Sequence, residues 1–134
     1  MMSDRAVARS IGDMVAEFHR AFALPIATAP GLDVSDDLLA LRRELIDEER
    51  RELDEALTAG NLIGVADALG DLVYVIYGAA LTFGIDLDAV IAEIHRSNMT
   101  KLGDDGRPVV RDDGKVLKGP RYEPPDVAGI LRQL

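Results

Sequence analysis

The chain has 134 residues, no cysteine and a formal net charge of −9. Its length suits a single domain, residues 1–134, with a real core, and the lack of cysteine excludes a disulfide framework and a thiolate metal site, as fits a reducing cytoplasm. The acidic balance disfavours nucleic acid polymers and anionic membranes as partners, and aromatics at 4% disfavour a stacking platform for single strands. A small polyanion is a compatible ligand if metal ions bridge it to the protein.

In chain order, "MMSDRAVARS" holds no apolar stretch, so no secretory signal is expected there. Residues 4–22 place Val7, Ile11, Met14, Val15, Phe18 and Phe22 at three-to-four spacing, an amphipathic first helix. "LPIATAPGL" (24–32) then forces a loop. Ser35 and Asp36 open a second helix over 36–59, about 35 Å long. Gly60 closes it and Asn61 caps a third helix over 62–83, so the connection is short and the two helices should pair antiparallel. Gly84 and Asp86 separate the third helix from a fourth that runs to about residue 100. Beyond it, "GDDGRPVVRDDGKVLKGPRYEPPD" (103–126) carries two Asp-Asp-Gly turns, the second with a hairpin pattern. Residues 127–134 are read as a last short helical turn. The expected fold is all-α: an antiparallel bundle of four main helices with a short hairpin-like tail.

The third helix bears apolar residues over most of its circumference and is expected to be buried nearly all round. The run 72–85 within it is short for a bilayer and is bracketed by Asp71 and Asp86, so it reads as a core helix. Four helices this apolar offer more surface than a small bundle buries, which points to an intersubunit face and an oligomer.

Two charged residues interrupt that helix, Asp67 and Asp71, at i,i+4. On the second helix, Glu48, Glu49 and Glu52 stand in line with Leu41, Leu45, Leu53 and Ala56. Antiparallel pairing would set Glu52 level with Asp67, and Glu48 or Glu49 level with Asp71. Unpaired carboxylates in an apolar seam are costly, and adjacent ones raise each other's pKa. An acidic run such as "DEERRELDE" is ordinarily a solvated face laced with salt bridges, but Asp67 and Asp71 on an apolar helix do not fit that reading. Hard oxygen donors suit Mg²⁺, with Mn²⁺ as an alternative. A di-iron bundle site would need Glu-x-x-His, which is absent.

"EERRE" (48–52) resembles the Glu-Glu-x-x-Glu motif of the all-α nucleoside triphosphate pyrophosphohydrolase superfamily, which includes MazG-like enzymes, dimeric dUTPases and phosphoribosyl-ATP pyrophosphohydrolases. "DALGDLVYVIYG" (67–78) resembles its second motif, Glu-x-x-Asp, with Ala68 where the motif has Glu. The resemblance implies a helical bundle, dimeric or tetrameric, that cuts nucleoside triphosphates to a monophosphate and pyrophosphate with Mg²⁺, here on dNTPs, dUTP or non-standard nucleotides in a house-cleaning role. It implies Glu49, Glu52 and Asp71 as metal ligands, Asp67 in place of the missing glutamate, and Glu48 as a further ligand or general base beside Glu49. Asn98 and Lys101 are implied near the phosphates, and Lys115, Lys118 and Tyr122 of the tail are candidates to close over substrate, with Arg121 read as a solvated charge. Phosphoribosyl-ATP hydrolysis and a non-catalytic metal-binding interaction module are the alternatives. His19 is read as a surface residue, His95 as structural, and Phe18, Phe22, Tyr74 and Tyr77 as packing.

Overall fold

The computed structural model describes residues 9–132; the expected start of the first helix, with Val7, lies outside them. The chain divides into two compact units, one ending at Asp86 and the other beginning at Leu87. Its secondary structure is all-α apart from one two-stranded ribbon.

The first unit holds α1 (Ile11–Ala21), α2 (Asp36–Thr58) and α3 (Leu62–Thr82). Each starts at a side-chain cap: the N–H groups of Asp13, Leu38 and Gly64 donate to Ser10 Oγ, Ser35 Oγ and Asn61 Oδ1 at 3.0, 3.2 and 3.0 Å. These caps satisfy N–H groups that the first helical turn leaves without intrahelical partners. Ser10 therefore sets the start of α1 at Ile11, later than the periodicity alone suggests.

Between α2 and α3 lie only Ala59, Gly60 and Asn61, and Asn61 N–H donates to Ala56 O at 2.9 Å. So tight a turn makes α2 and α3 an antiparallel hairpin. Ala56 lies level with Gly64, where a Cβ would come within 3.1 Å of the Ala56 methyl. About two turns back on each helix, Glu49 stands level with Asp71. Two turns further, Arg42 lies against Gly78.

α1 packs on α3, and the loop after it is tied to the end of α3: Ala27 N–H donates to Leu81 O and Gly31 N–H to Phe83 O, both at 2.9 Å. Gly84 makes this possible in two ways. Its φ is +69°, and a Cβ there would fall 2.2 Å from Ala29 O, so only glycine lets the loop close over the helix end.

Two expectations about packing need correction. α3 buries Ala68, Tyr77, Gly78, Ala79, Ala80 and Thr82, but Leu62, Ile63, Leu69, Val73, Tyr74 and Ile76 are exposed in the single chain. On α1, Phe18 and Phe22 are exposed, whereas Val15 and His19 are buried. Phe18 packs edge-on against Tyr74, with ring centroids 5.6 Å apart, and against Phe22 at 4.5 Å.

The second unit holds α4 (Leu87–Met99), β1 (Val109–Val110), β2 (Val116–Leu117) and α5 (Val127–Arg132). The strands form the expected hairpin, with Val109 opposite Leu117 and Val110 opposite Val116. Residues 123–126 lie along α4: Ser97 Oγ donates to Glu123 O at 2.7 Å, Glu123 N–H to Thr100 Oγ1 at 2.8 Å, and Asp126 N–H to Glu93 Oε2 at 2.7 Å. Arg96 bridges Glu93 and Glu123, at 2.8 Å to each. The arginine and the Asp126 amide hold the Glu93 carboxyl down at about 2.

Candidate metal centre

The acidic stretch of α2 divides by helical direction into two faces with different chemistry. Arg50 pairs with Asp47 at 3.1 Å and Asp54 at 2.9 Å, and Arg51 with Glu44 and Asp47 at 3.0 Å each. These exposed bridges, one i,i+3, two i,i+4 and one spanning two turns from Glu44 to Arg51, are the solvated charge lattice such sequences usually form. Glu49 and Glu52 point elsewhere, into the seam with α3. Among the described residues no ion pair reaches either of them or Asp71.

Glu49, Glu52 and Asp71 each offer a carboxylate oxygen, and the three oxygens lie within 4.8 Å of one another. Glu49 Oε2 is buried and has no hydrogen-bond partner. Burial, first, pushes the Glu49 carboxyl up to about 7; a hydrogen bond with the Glu52 carboxyl and the charges of Glu52, Asp71 and Glu48 add to it. Asp71 is raised as well, by burial and then by Asp67 and Glu52. Three convergent carboxylates, one of which carries a buried, unpartnered oxygen, with no basic partner among the described ion pairs, are a donor set that fits a divalent cation.

The remaining acids sit around this triad. Glu48 is exposed and stands outside the group of converging oxygens. Asp67 is exposed and shares a cleft at the α2–α3 turn with Glu52, Glu55, Asn61 and Ala68. Ala68 itself is buried between the helices.

Asn98, Lys101, Lys115, Lys118 and Tyr122 all belong to the second unit. There Asn98 lies on α4, Lys118 Nζ sits 4.8 Å from the Tyr122 ring centroid, and Arg121 pairs with Asp104 at 3.0 Å.

The sequence reading passed over one cluster on the same seam. His19 and Arg42 are 1% and 6% exposed, so His19 is a core residue and not a surface one. His19 Nδ1 lies 3.0 Å from Pro25 O, which fixes that nitrogen as the protonated donor. Burial, opposed by the Pro25 hydrogen bond and helped by the Arg42 charge, lowers the His19 pKa. Arg42 Nε is buried without a partner. The available signal was spacing: Arg42 is two turns before Glu49 on the same face, and His19 one turn after Val15.

Residues 15–98 match the phosphoribosyl-ATP pyrophosphohydrolase family. This span covers more than half of the chain and every carboxylate of the site. The chain belongs to that family. Membership, together with the fold, supports pyrophosphohydrolase chemistry in general. An uncharacterized protein of Acanthamoeba polyphaga mimivirus is 42% identical over 77 residues, 55% of this chain and 31% of the viral protein. The chain thus spans about a third of the length of that relative. A candidate NTP pyrophosphohydrolase from Exiguobacterium sp. 255-15 shares the fold, with a TM-score of 0.51 and 24% identity over 93% of this chain and 96% of that one.

Proposed function

We propose that the chain is a divalent-metal-dependent pyrophosphohydrolase that converts nucleoside triphosphates to a monophosphate and pyrophosphate. The observation that carries this reading is the triad Glu49, Glu52 and Asp71, with oxygens within 4.8 Å of one another, and Glu49 carrying a buried, unpartnered oxygen. These three residues would hold Mg²⁺ or Mn²⁺, with Asp67 as the provisional fourth oxygen donor. Bound there, the metal supplies positive charge for the phosphate oxygens and lowers the pKa of a coordinated water.

The chain's own contribution is positional and protonic. The α2–α3 hairpin presents the carboxylates as one rigid set, because each sits on a helix and the turn between the helices is three residues long. Water adds across the α–β anhydride, the bridging bond breaks, pyrophosphate leaves, and a carboxylate takes the water's proton. Glu48, beside the triad but outside it, is the residue we assign to that proton. Asn98 and Lys101, implied near the phosphates by the sequence resemblance alone, are the residues we propose as amide donor and point charge.

The family match favours one second reading, phosphoribosyl-ATP as substrate. Pyrophosphate release is the test, measured over dNTPs, dUTP, oxidised and methylated nucleotides and phosphoribosyl-ATP, each with Mg²⁺ and with Mn²⁺. Turnover of nucleoside triphosphates supports the first reading, and turnover of phosphoribosyl-ATP alone supports the second. No turnover of any of them by folded, metal-binding protein contradicts both and leaves a non-catalytic binding module.

A further inference from the structure

Aromatic side chains are scarce in this chain, yet Phe18, Phe22 and Tyr74 meet on one surface of the first unit. All three stay open to solvent, at 38%, 65% and 39% exposure. Phe18 and Tyr74 cross at 76°, edge to face, which leaves flat ring surface uncovered.

Tyr74 lies three residues beyond Asp71, so about 5 Å along the helix separates it from a carboxylate of the triad. At about 100° per residue, Gly70 and Tyr74 fall on the flank of α3 that carries Asp67, the acid that shares a cleft with Glu52. Neighbours crowd the Cβ positions of Gly64 and Gly78, but no described atom lies within 4 Å of that of Gly70. A glycine inside a helix costs about 1 kcal/mol relative to alanine, and no packing among the described residues requires this one. It leaves bare backbone beside Asp71, one turn before Tyr74.

We infer that this flank is the nucleoside half of the substrate site, with the sugar against Gly70 and the base stacked on Tyr74 and Phe18. The base is held there by ring area and not by its hydrogen-bonding edge. The inference rests on the hydrolase reading, which brings the phosphates to the triad. Asp67, Gly70 and Tyr74 follow one another along one flank, in the order of phosphate, sugar and base in a nucleotide.

A site that reads a base edge needs hydrogen-bonding groups turned towards it, and it discriminates because a wrong base leaves them unpaired. The polar neighbour of these rings is His19, in edge contact with Phe18. It is 1% exposed, with Nδ1 committed to Pro25 O. Arg42 is buried beside it, against Gly78. Both are turned into the core, away from a base on the outer ring faces. Stacking alone tolerates any edge, because every base has a π-face. The substrate class is therefore set by ring size: purines over pyrimidines, with oxidised, alkylated or otherwise edge-substituted bases accepted.

The test is calorimetric binding, with Mg²⁺, of α,β-methylene nucleoside triphosphates, which resist cleavage, beside inorganic tripolyphosphate, which has no base. Purine analogues should bind several-fold more tightly than pyrimidine analogues, and N6-methyladenine and 8-oxoguanine should lie within about 10-fold of adenine and guanine. Tyr74→Ala should weaken every nucleotide by roughly 5- to 150-fold, the worth of one base stack, and leave tripolyphosphate unchanged. Gly70→Leu, whose side chain enters open space and favours the helix, should act in the same direction on the same ligands. The chain has no tryptophan, so Tyr74→Trp gives a single reporter that should keep the affinity and be quenched by nucleotides but not by tripolyphosphate. Three results would each overturn the inference while tripolyphosphate binding upholds the hydrolase reading. They are discrimination beyond about 100-fold between bases of equal ring size, nucleotide binding indifferent to both Tyr74→Ala and Gly70→Leu, and tryptophan emission that follows protein concentration and not nucleotide, as when a second copy covers the rings. Folded wild-type protein that binds neither nucleotides nor tripolyphosphate would overturn both.

Discussion

Glu49 on α2 and Asp71 on α3 stand level across the hairpin, with carboxylate oxygens no more than 4.8 Å apart and no basic side chain between them among the described ion pairs. Two helices that place acids together in their seam are held apart by like charge unless a proton or a cation intervenes. The stability of the metal-free protein should therefore depend on pH. Glu49 is raised to about 7 in the fold, so its stabilising contribution is full below the ordinary glutamate range and is lost as pH rises through about 7. The thermal midpoint of metal-free protein should fall between about pH 5 and pH 8, and millimolar Mg²⁺ should restore it at the upper end. Glu49→Gln should flatten the pH dependence and remove the Mg²⁺ effect, read by thermal unfolding with and without chelator.

Ala68 and Asp67 offer a second test. The motif that residues 67–78 resemble has a glutamate where this chain buries Ala68, while Asp67 lines the cleft shared with Glu52. If Asp67 supplies the missing oxygen, Asp67→Asn should weaken Mn²⁺ binding by about 10- to 100-fold. Adding Ala68→Glu to that variant should recover most of the loss. Calorimetric titration measures both, and an Asp67→Asn variant with unchanged affinity would remove Asp67 from the site.

Gly78 is needed for space. A Cβ there would come 2.8 Å from Arg42 Nη1 and 3.1 Å from His19 Nε2, both side chains being locked in the core. Gly78→Ala should cost about 1–3 kcal/mol, the usual penalty of overpacking. Arg42→Met removes a buried guanidinium whose Nε has no partner and should be neutral or stabilising. The double variant should be less destabilised than Gly78→Ala alone, which urea unfolding of the three variants would show.

Ser97 anchors the tail to α4. Its hydroxyl is buried and donates to Glu123 O at 2.7 Å, while Thr100 Oγ1 approaches the same carbonyl only at 3.4 Å. Ser97→Ala should cost about 1 kcal/mol. The loss should appear as faster hydrogen exchange over residues 120–126, with the amides of α2 and α3 unchanged.

Local signals made most of the fold legible. Ser35, Gly60 and Asn61 bound α2 and α3 to within a residue, and the three-residue turn between them dictated antiparallel pairing. That register set Glu48 or Glu49 level with Asp71, and the structure selects Glu49. The Asp-Gly turn likewise marked the 109–117 hairpin. What was not legible concerns what each stripe meets. Periodicity assigns residues to a face, but it does not say whether that face packs inside the chain or lies open. On α1 the buried side is rotated from the centre of the apolar arc towards His19, so Phe18 and Phe22 are exposed and the histidine is enclosed. On α3, Leu69 and Val73 read as core because apolar residues for an inner and an outer contact look alike in sequence. Arg42 escaped notice because arginine on a charged helix is usually solvated, and only the close approach at Gly78 shows otherwise.

The most direct measurement is Mg²⁺-dependent pyrophosphate release by wild-type protein beside Glu49→Gln and Asp71→Asn, with folding checked by circular dichroism. One variant lies on each helix, so the pair tests the seam as a unit. Expected is metal-dependent release by the wild type and a loss of at least about 100-fold in each folded variant. Release that needs no divalent metal, or that survives in either variant, would contradict a metal centre built across α2 and α3.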